Sequence, residues 1–327
     1  MLGIIGQRVY NWAISNDPWT NVYGLARSLM AISLAMTLIL NEARILFLPA
    51  AGQEEYPQCK GNISVFCMVP PDYFYLDIVR WLAIVCLIVV ATGWRPRITG
   101  MIHWWISYSV QVSAIELDGG EQVAAVLTLL ILPIVLTDRR KWHWEKGEEK
   151  GLYSDRSIYS RIVALSSLMA IRVQVAILYF HSSVAKMFEH TWINGTAVYY
   201  FLQDPMLGLN SFFLYLSKPI LTSAAVVVPT WGTLILQLFL FGALFAPKRY
   251  WKYFFIAALL LHEVIAVMLG LISFSIAMIA ALILYLRPIE EEFKYLNRLH
   301  GLGKIIKVLE MISRNKEPRE SKSIPNM

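Results

Sequence analysis

Charged side chains are scarce in this sequence of 327 residues, because Asp, Glu, Lys and Arg together make up only 16% of it. Soluble domains usually carry about 25% charged residues. Hydrophobic residues make up 57%, the mean hydropathy is +0.52, and the apolar residues fall in long runs. The composition therefore excludes an ordinary soluble protein and predicts an integral membrane protein.

Spacings typical of metal ligands are also missing. Neither His-x-x-x-His nor Cys-x-x-Cys occurs, and the whole chain has 6 His and 3 Cys. His262 and Glu263 are neighbours, but consecutive helical residues point about 100° apart and so share no face. We therefore expect no metal site.

The net charge of +6 does not indicate a nucleic-acid partner, because the basic residues gather in connecting loops and in the C-terminal tail. Basic clusters lie at 94–97, 138–161 and 247–252, and two apolar runs separate each cluster from the next. Loops rich in Lys and Arg stay in the cytoplasm. This spacing predicts that the spans come in pairs, one crossing outward and the next returning, with both termini cytoplasmic.

The predicted fold is all-α, a polytopic transmembrane bundle over 21–287. An interfacial amphipathic helix over 1–20 precedes it, and a basic cytoplasmic tail over 288–327 follows. At about 20 residues per span, about eight spans leave no room for a soluble catalytic domain, so any active site lies among the helices. The expected spans are, approximately, 22–47, 73–93, 98–115, 123–137, 162–185, 221–246, 253–269 and 271–286.

The third predicted span is polar for a membrane helix. His103, Ser107 and Gln111 recur every four residues and therefore share one face. Such a face avoids lipid, and we expect these three side chains to line a cavity and contact a substrate.

Lys186 stands at the end of the fifth predicted span, with Tyr179 on the same face and His190 and Trp192 following it. A charge costs about 2.5–3.5 kcal/mol at a membrane-helix centre, so a retained one usually pairs, lines a wet cavity or reacts. A desolvated lysine can serve as a base near neutral pH. The alternative is that Lys186 only extends its ammonium to the interface. We take His190 and Trp192 as candidate substrate-binding residues.

His262 and the turn that carries Asp118, Glu121 and Gln122 are the other candidate catalytic positions. A lone histidine on an apolar helix is either a hydrogen-bonded packing residue or a catalyst. The turn is either a solvated loop or part of a site. The topology places this turn and Lys186 at the outer ends of their spans, with His262 about 10 Å deeper. We predict that they converge on one externally opening cavity.

Two cysteines, Cys59 and Cys67, lie in a loop over 50–72 that the topology places outside. External compartments favour disulfides, so we predict a bridge between them. Cys86 falls inside the second predicted span and is most simply an apolar filler.

Two stretches resemble the vitamin K-dependent gamma-glutamyl carboxylase. Residues 180–195 are similar to its lysine motif, and Lys186 takes the place of the lysine that deprotonates vitamin K hydroquinone. Residues 261–278 resemble its intramembrane histidine and the glycine-phenylalanine helix that follows, and Glu121 and Gln122 stand where it has an asparagine-histidine pair. The resemblance implies membership of the HTTM superfamily and admits a quinol as cofactor, although the cofactor itself stays unknown.

Four motifs look most like the bacterial sporulation-delaying protein B (SdpB) family: WRPR at 94–97, HWW at 103–105, DGGEQVAAV at 118–126 and DRRKWHW at 138–144. This resemblance covers most of the chain. It implies a multi-pass protein of the bacterial cytoplasmic membrane that works with a small companion protein and a secreted toxin precursor to produce an antimicrobial peptide. Membrane lipid is the remaining expected partner.

Together these features predict a membrane enzyme, or enzyme subunit, that matures an exported peptide, with Lys186 as base or nucleophile near the outer face. Proton abstraction from a quinol and lysine-assisted cleavage or modification of the peptide both remain open. The alternative is a non-catalytic export, scaffold or immunity protein in which Lys186 is a structural counter-ion.

Overall fold

A computed structural model describes residues 2–49, 56–115, 118–145, 154–205 and 208–294. Within these ranges the regular structure is helical, apart from one isolated bridge between Trp94 and Trp142. Most of the predicted tail over 288–327 lies outside the described residues. The α-helices are α1 (Leu2–Ser15), α2 (Asn21–Leu40), α3 (Ala43–Leu46), α4 (Tyr73–Thr92), α5 (Pro96–Ser113), α6 (Gly120–Thr137), α7 (Asp155–Lys186), α8 (His190–Ile193), α9 (Ala197–Leu202), α10 (Ser211–Leu221), α11 (Val227–Gly242), α12 (Lys248–Leu269) and α13 (Ile272–Leu286).

Six helical segments of the described chain are long and apolar enough to cross a membrane: α2, α4, α6, α7, α12 and the segment Ala224–Phe245, which contains α11. The two other predicted spans correspond to α5, which is more polar, and to α13, which has only 15 residues. The all-helical membrane architecture is confirmed, while the count of eight and the orientation of the termini stay predictions.

Two predicted boundaries differ from the structure. The first predicted span is broken, because α2 ends at Leu40 and the Asn41 N–H and side-chain amide both bond to the Thr37 carbonyl. Helix α7 starts earlier than predicted, at Asp155, where the Ser154 hydroxyl caps the Ser157 N–H. Its 32 residues span about 48 Å, so it extends well beyond a hydrocarbon core of about 30 Å.

The shortest candidate span, α13, forms the centre of the bundle. It packs against α2, α6, α7 and α12, and residues 280–286 are all buried. A helix that is apolar on every side lies either in lipid or among other helices, and the burial of residues 280–286 places α13 among helices. Helix α13 therefore supplies the wall on which the neighbouring helices, and the cavity between them, are arranged.

The region between α7 and α11 forms three short helices, α8 to α10. Some of its aromatic side chains are largely exposed, with Phe212 at 70% and Tyr215 at 79%. The aromatic Phe201 and the aliphatic Leu202 of α9 border a cavity. This segment is thus both an amphipathic surface and one wall of the candidate site.

A buried polar cluster joins α2 to the loops that follow α4 and α6. Arg27 is fully buried, its Nη1 lies 3.3 Å from His143 Nδ1, and its Nη2 donates to the Thr99 hydroxyl at 2.6 Å. The Ser28 hydroxyl lies 3.3 Å from His143 Nε2. The ring of His143 fills the space beside Gly93, where an added Cβ would come within 2.3 Å of it and where φ is +86°. Only glycine fits that position.

An ion pair extends this cluster. Asp138 accepts hydrogen bonds from Arg140 Nε at 2.9 Å and Nη2 at 2.8 Å, and it also accepts one from the Tyr23 hydroxyl. The Arg95 N–H donates to the Lys141 carbonyl at 2.7 Å, which ties the two loops together. The motifs at 94–97 and 138–144 therefore build a structural lock between loops, away from the candidate site.

We expect the buried His143 to make folding pH-dependent. Burial, followed by the charges of Arg27 and Arg140, holds the pKa of His143 well below its usual 6.5. The unfolded chain binds a proton below pH 6.5 and the folded chain does not, so stability present above pH 6.5 is lost as the pH falls, by up to about 1.4 kcal/mol per pH unit. Thermal unfolding in detergent between about pH 7.5 and pH 5.5 measures this slope.

The control for this slope is His143→Gln, which removes the titrating ring. It should lower the Tm at pH 7.5 and flatten the pH dependence. Equal slopes in the wild type and the variant would contradict the assignment to His143.

The described part of the loop that is predicted to lie outside, residues 56–72, is pinned to α5. Cys59 and Cys67 form a disulfide, the Val65 N–H donates to the Ser109 hydroxyl at 2.9 Å, and Trp105 Nε1 donates to the Ile63 carbonyl at 2.9 Å. The structure therefore contains the predicted bridge, and it gives some polar side chains of α5 a role in holding this loop.

Replacing Cys59 and Cys67 together with serine should lower the free energy of unfolding. The bridge spans 8 residues, and closing a loop of that size in the unfolded chain is worth about 2.5 kcal/mol in the chain-entropy picture. Calorimetry of both proteins measures the difference. Thiol mapping that finds both cysteines free in native membranes would contradict the bridge or the external position of the loop.

Candidate functional site in a helix-lined cavity

A cavity of about 1090 Å³ lies among the helices α6 to α13. Its volume reaches the upper end of the range of about 300–1,000 Å³ typical of ligand pockets. Its walls are mainly apolar, with Leu178, Leu261 and Met278 among the lining residues. The polar side chains that border it are Asp118, Gln122, Gln174, Tyr179, His181, Ser182, Lys186, Glu189, Trp192, Ser217, Thr233, Gln237 and His262.

Lys186 is the last residue of α7 and borders this cavity. Its ammonium donates to the Ser182 hydroxyl at 2.6 Å and to the Ser182 carbonyl at 3.1 Å, and it lies 5.5 Å from the centre of the buried Trp192 ring. The ion pairs found in the described chain do not include Lys186. A hydroxyl and an aromatic face hold this cation, and no described carboxylate lies within ion-pair distance.

His262 lies on α12 and borders the same cavity. Its Nε2 is 3.0 Å from the Tyr179 hydroxyl, and its ring packs edge-on against Phe274 at 5.6 Å between centroids. Tyr179 precedes Lys186 by two helical turns, which corresponds to about 10 Å along α7. The cavity therefore has a lysine at one end and a tyrosine-histidine pair about 10 Å deeper.

The candidate residues in and just after the turn before α6 lie in two different environments. Asp118 and Gln122 border the cavity, and Asp118 accepts from the Gly120 N–H at 2.8 Å and from the Ser273 hydroxyl at 3.1 Å. Glu121 is buried on a different face and accepts from the Thr37 hydroxyl of α2 at 2.6 Å. The expected placement of Glu121 in the cavity is wrong, because its side chain points towards α2 instead.

The polar face of α5 does not border this cavity, contrary to expectation. His103 and Ser107 are buried, the Ser107 hydroxyl donates to the His103 carbonyl at 2.9 Å, and the Gln111 side-chain oxygen is buried without a partner among the described residues. Helix α5 packs against α4 and α6. A polar face can avoid lipid by facing other helices, and periodicity alone does not identify the neighbour.

His190 and Trp192 also separate. Trp192 borders the cavity, whereas His190 is exposed and lies 3.3 Å from the Asn194 amide. His190 stands four residues after Lys186, but α7 ends at Lys186 and a new helix starts at His190. The four-residue rule does not hold across that break.

Several polar cavity residues were not predicted, among them His181, Glu189 and Gln237. Gln237 is the most informative, because it is a lone amide in the otherwise apolar helix α11 and is only 9% exposed. A buried amide in a membrane helix is a signal that sequence reading could have used.

The comparisons with known proteins identify the relatives of the chain. The sporulation-delaying protein SdpB of Bacillus subtilis strain 168 is 37% identical over 277 residues, which cover 84% of each protein. The chain belongs to the SdpB family. A second relative of this SdpB-family chain, YitO of the same strain, is 52% identical over 301 residues, or 91% of this chain and 96% of YitO. No family model and no solved structure matches the chain. The relation to the HTTM superfamily and to the carboxylase stays a prediction.

Proposed function

We propose that this SdpB-family protein takes part in producing an exported antimicrobial peptide at the bacterial cytoplasmic membrane, and that the cavity is where the peptide is handled. The observation that carries the proposal is the meeting of Lys186, the Tyr179–His262 pair, Asp118 and Gln122 in one mainly apolar cavity. Large apolar pockets with a few convergent polar groups are typical of binding and active sites.

In this proposal Lys186 is the base or nucleophile. Lys186 borders the cavity, and Ser182 orients its ammonium without neutralising it. His262 and Tyr179 lie deeper and position the bound molecule. The quinol that the carboxylase resemblance admits would find apolar walls here, and Lys186 would be the group that takes its proton.

A non-catalytic role is the second candidate, and one observation favours it. The Lys186 ammonium lies over the ring of the buried Trp192, which is a stable arrangement for a structural cation. Under this alternative the cavity binds the peptide for export, for assembly with a small companion protein, or for immunity.

The role in peptide production is tested by removing the chain. Mass spectrometry of the culture medium should detect the mature peptide from cells that carry the chain and only traces from cells that lack it, with recovery after the gene is restored. The precursor should persist inside the deleted cells. An unchanged mass and amount of secreted peptide without the chain would contradict the proposed function.

A further inference from the structure

Two buried polar atoms at the deep end of the cavity have no hydrogen-bond partner among the described residues, namely His262 Nδ1 and Gln237 Oε1. Both side chains border the cavity, and His262 is 4% and Gln237 9% exposed. Buried polar atoms are almost always paired, so two orphans in one cavity indicate a polar group of a ligand.

The two orphans lie at a similar depth. The Ser183 hydroxyl donates to the Leu234 carbonyl at 3.3 Å, which aligns α7 with α11. Gln237 lies three residues beyond Leu234, and Tyr179, the partner of His262, lies four residues before Ser183. At 1.5 Å per residue, Gln237 and Tyr179 therefore each lie about 5 Å further from the Lys186 end of the cavity than Leu234 and Ser183 do.

The Tyr179 contact fixes the proton position on His262. Tyr179 is 1% exposed, and within the described chain its hydroxyl contacts His262 Nε2 and no other hydrogen-bond partner. If Nε2 carried the proton, the buried phenol hydrogen would have no acceptor there. The tyrosine therefore donates to Nε2, and His262 presents an Nδ1–H donor.

The residues that border the cavity thus hold one unpaired donor, on His262, and one unpaired acceptor, on Gln237. A secondary amide is the complement of this pair, because its carbonyl accepts from Nδ1–H and its N–H donates to Oε1. An extended peptide has none of the internal hydrogen bonds of a helix, so its amides need other partners in an apolar cavity. Each backbone group that stays unpaired there costs several kcal/mol.

We propose that His262 and Gln237 form a subsite for a main-chain amide, which holds a non-helical apolar stretch of the peptide inside the bundle. This proposal rests on the proposed function and adds that the subsite recognises the backbone of the peptide and not a side chain. The pinned amide lies about 10 Å from Lys186, and an extended chain covers that distance in about three residues. Lys186 then meets the peptide about three residues from the pinned amide.

The probe for this subsite is a fluorescent twelve-residue peptide of leucine and alanine, with a series in which one amide at a time is N-methylated. Binding is measured on the purified full chain in lipid nanodiscs. One N-methyl position should weaken binding to the wild type about tenfold, the effect of one hydrogen bond in a buried site. In Gln237→Leu the parent peptide should bind about tenfold more weakly, and that N-methyl group should have no further effect.

Two controls keep a folding defect separate from a lost contact. Gln237→Leu replaces a side chain whose buried oxygen is unpaired with an apolar side chain of similar size, so its Tm should equal or exceed that of the wild type. Thr233→Val changes the same wall one turn earlier, where the hydroxyl already donates to the Pro229 carbonyl at 2.8 Å, and it should keep the preference for the parent peptide.

The proposal is overturned if the parent peptide does not bind, if all N-methylated peptides bind the wild type equally, or if Gln237→Leu keeps the preference. Binding of a short-chain naphthoquinol that depends on Gln237, without peptide binding, would assign the pair to a small molecule instead. Loss of the mature peptide on deletion, without amide discrimination, refutes the subsite alone. Amide discrimination together with unchanged secretion on deletion refutes the proposed function alone.

Discussion

Lys186→Arg and Lys186→Ala are both expected to lower the yield of mature exported peptide by at least about 100-fold, because a positioned base contributes about 10²–10⁴ to a rate. Arginine keeps the positive charge, and it can still reach the Ser182 hydroxyl and the face of Trp192. It cannot release a proton, however, and its planar guanidinium is not a nucleophile. Quantitative mass spectrometry of the secreted peptide measures the yield.

Lys252→Arg is the matched control, since Lys252 also lies over an aromatic ring, that of Tyr253 at 4.9 Å, and stays outside the cavity. The Lys252→Arg variant should give the wild-type yield of mature peptide. If Lys186→Arg does the same while Lys186→Ala does not, the lysine is a structural cation, and the non-catalytic role replaces the enzymatic one.

Asp138→Asn should be among the most destabilising single changes in the chain. The variant removes the charge that Arg140 meets through two hydrogen bonds, and the Arg140 side chain is only 8% exposed. Breaking a buried pair by removing one partner costs about 3–5 kcal/mol, because the other charge stays buried. We expect a Tm lowered by many degrees, or loss of the protein from the membrane, in thermal-shift and accumulation assays.

The exposed pair of Lys248 and Glu290 provides the comparison, with side chains that are 57% and 40% exposed. Glu290→Gln should cost less than about 1 kcal/mol, the usual limit for surface pairs. Similar losses of stability for Asp138→Asn and Glu290→Gln would show that the buried cluster does not hold the two loops together.

The helices could be predicted from the sequence because span length and apolar runs are local properties. The break at Asn41 was missed, because apolar residues resume at Ile45 after the short polar interruption of Asn41, Glu42 and Arg44. The motifs at 94–97 and 138–144 were interpreted as separate basic turns. Their contact, from Arg95 to Lys141, depends on how α4, α5 and α6 pack, and no local pattern reports that.

Part of the candidate site could also be predicted, from the order of the spans along the chain. Alternation of spans was sufficient to expect Lys186 and His262 near one another, and one cavity does contain both. The orientation of each side chain was not predictable, because Glu121 and Gln122 differ by one helical step and reach different spaces. Gln237 has no periodic partner, and its importance emerges only when the cavity around it is known.

The most direct test of the central claim is photo-crosslinking from two adjacent positions on α12. Leu261 borders the cavity, whereas Leu260 is 61% exposed on the outer face of the helix. A photoreactive phenylalanine analogue placed at one position or the other, in cells that make the tagged peptide precursor, should form a precursor adduct from 261 and little or none from 260. Equal adducts from both positions, or an adduct from 260 alone, would contradict the claim that this cavity holds the peptide.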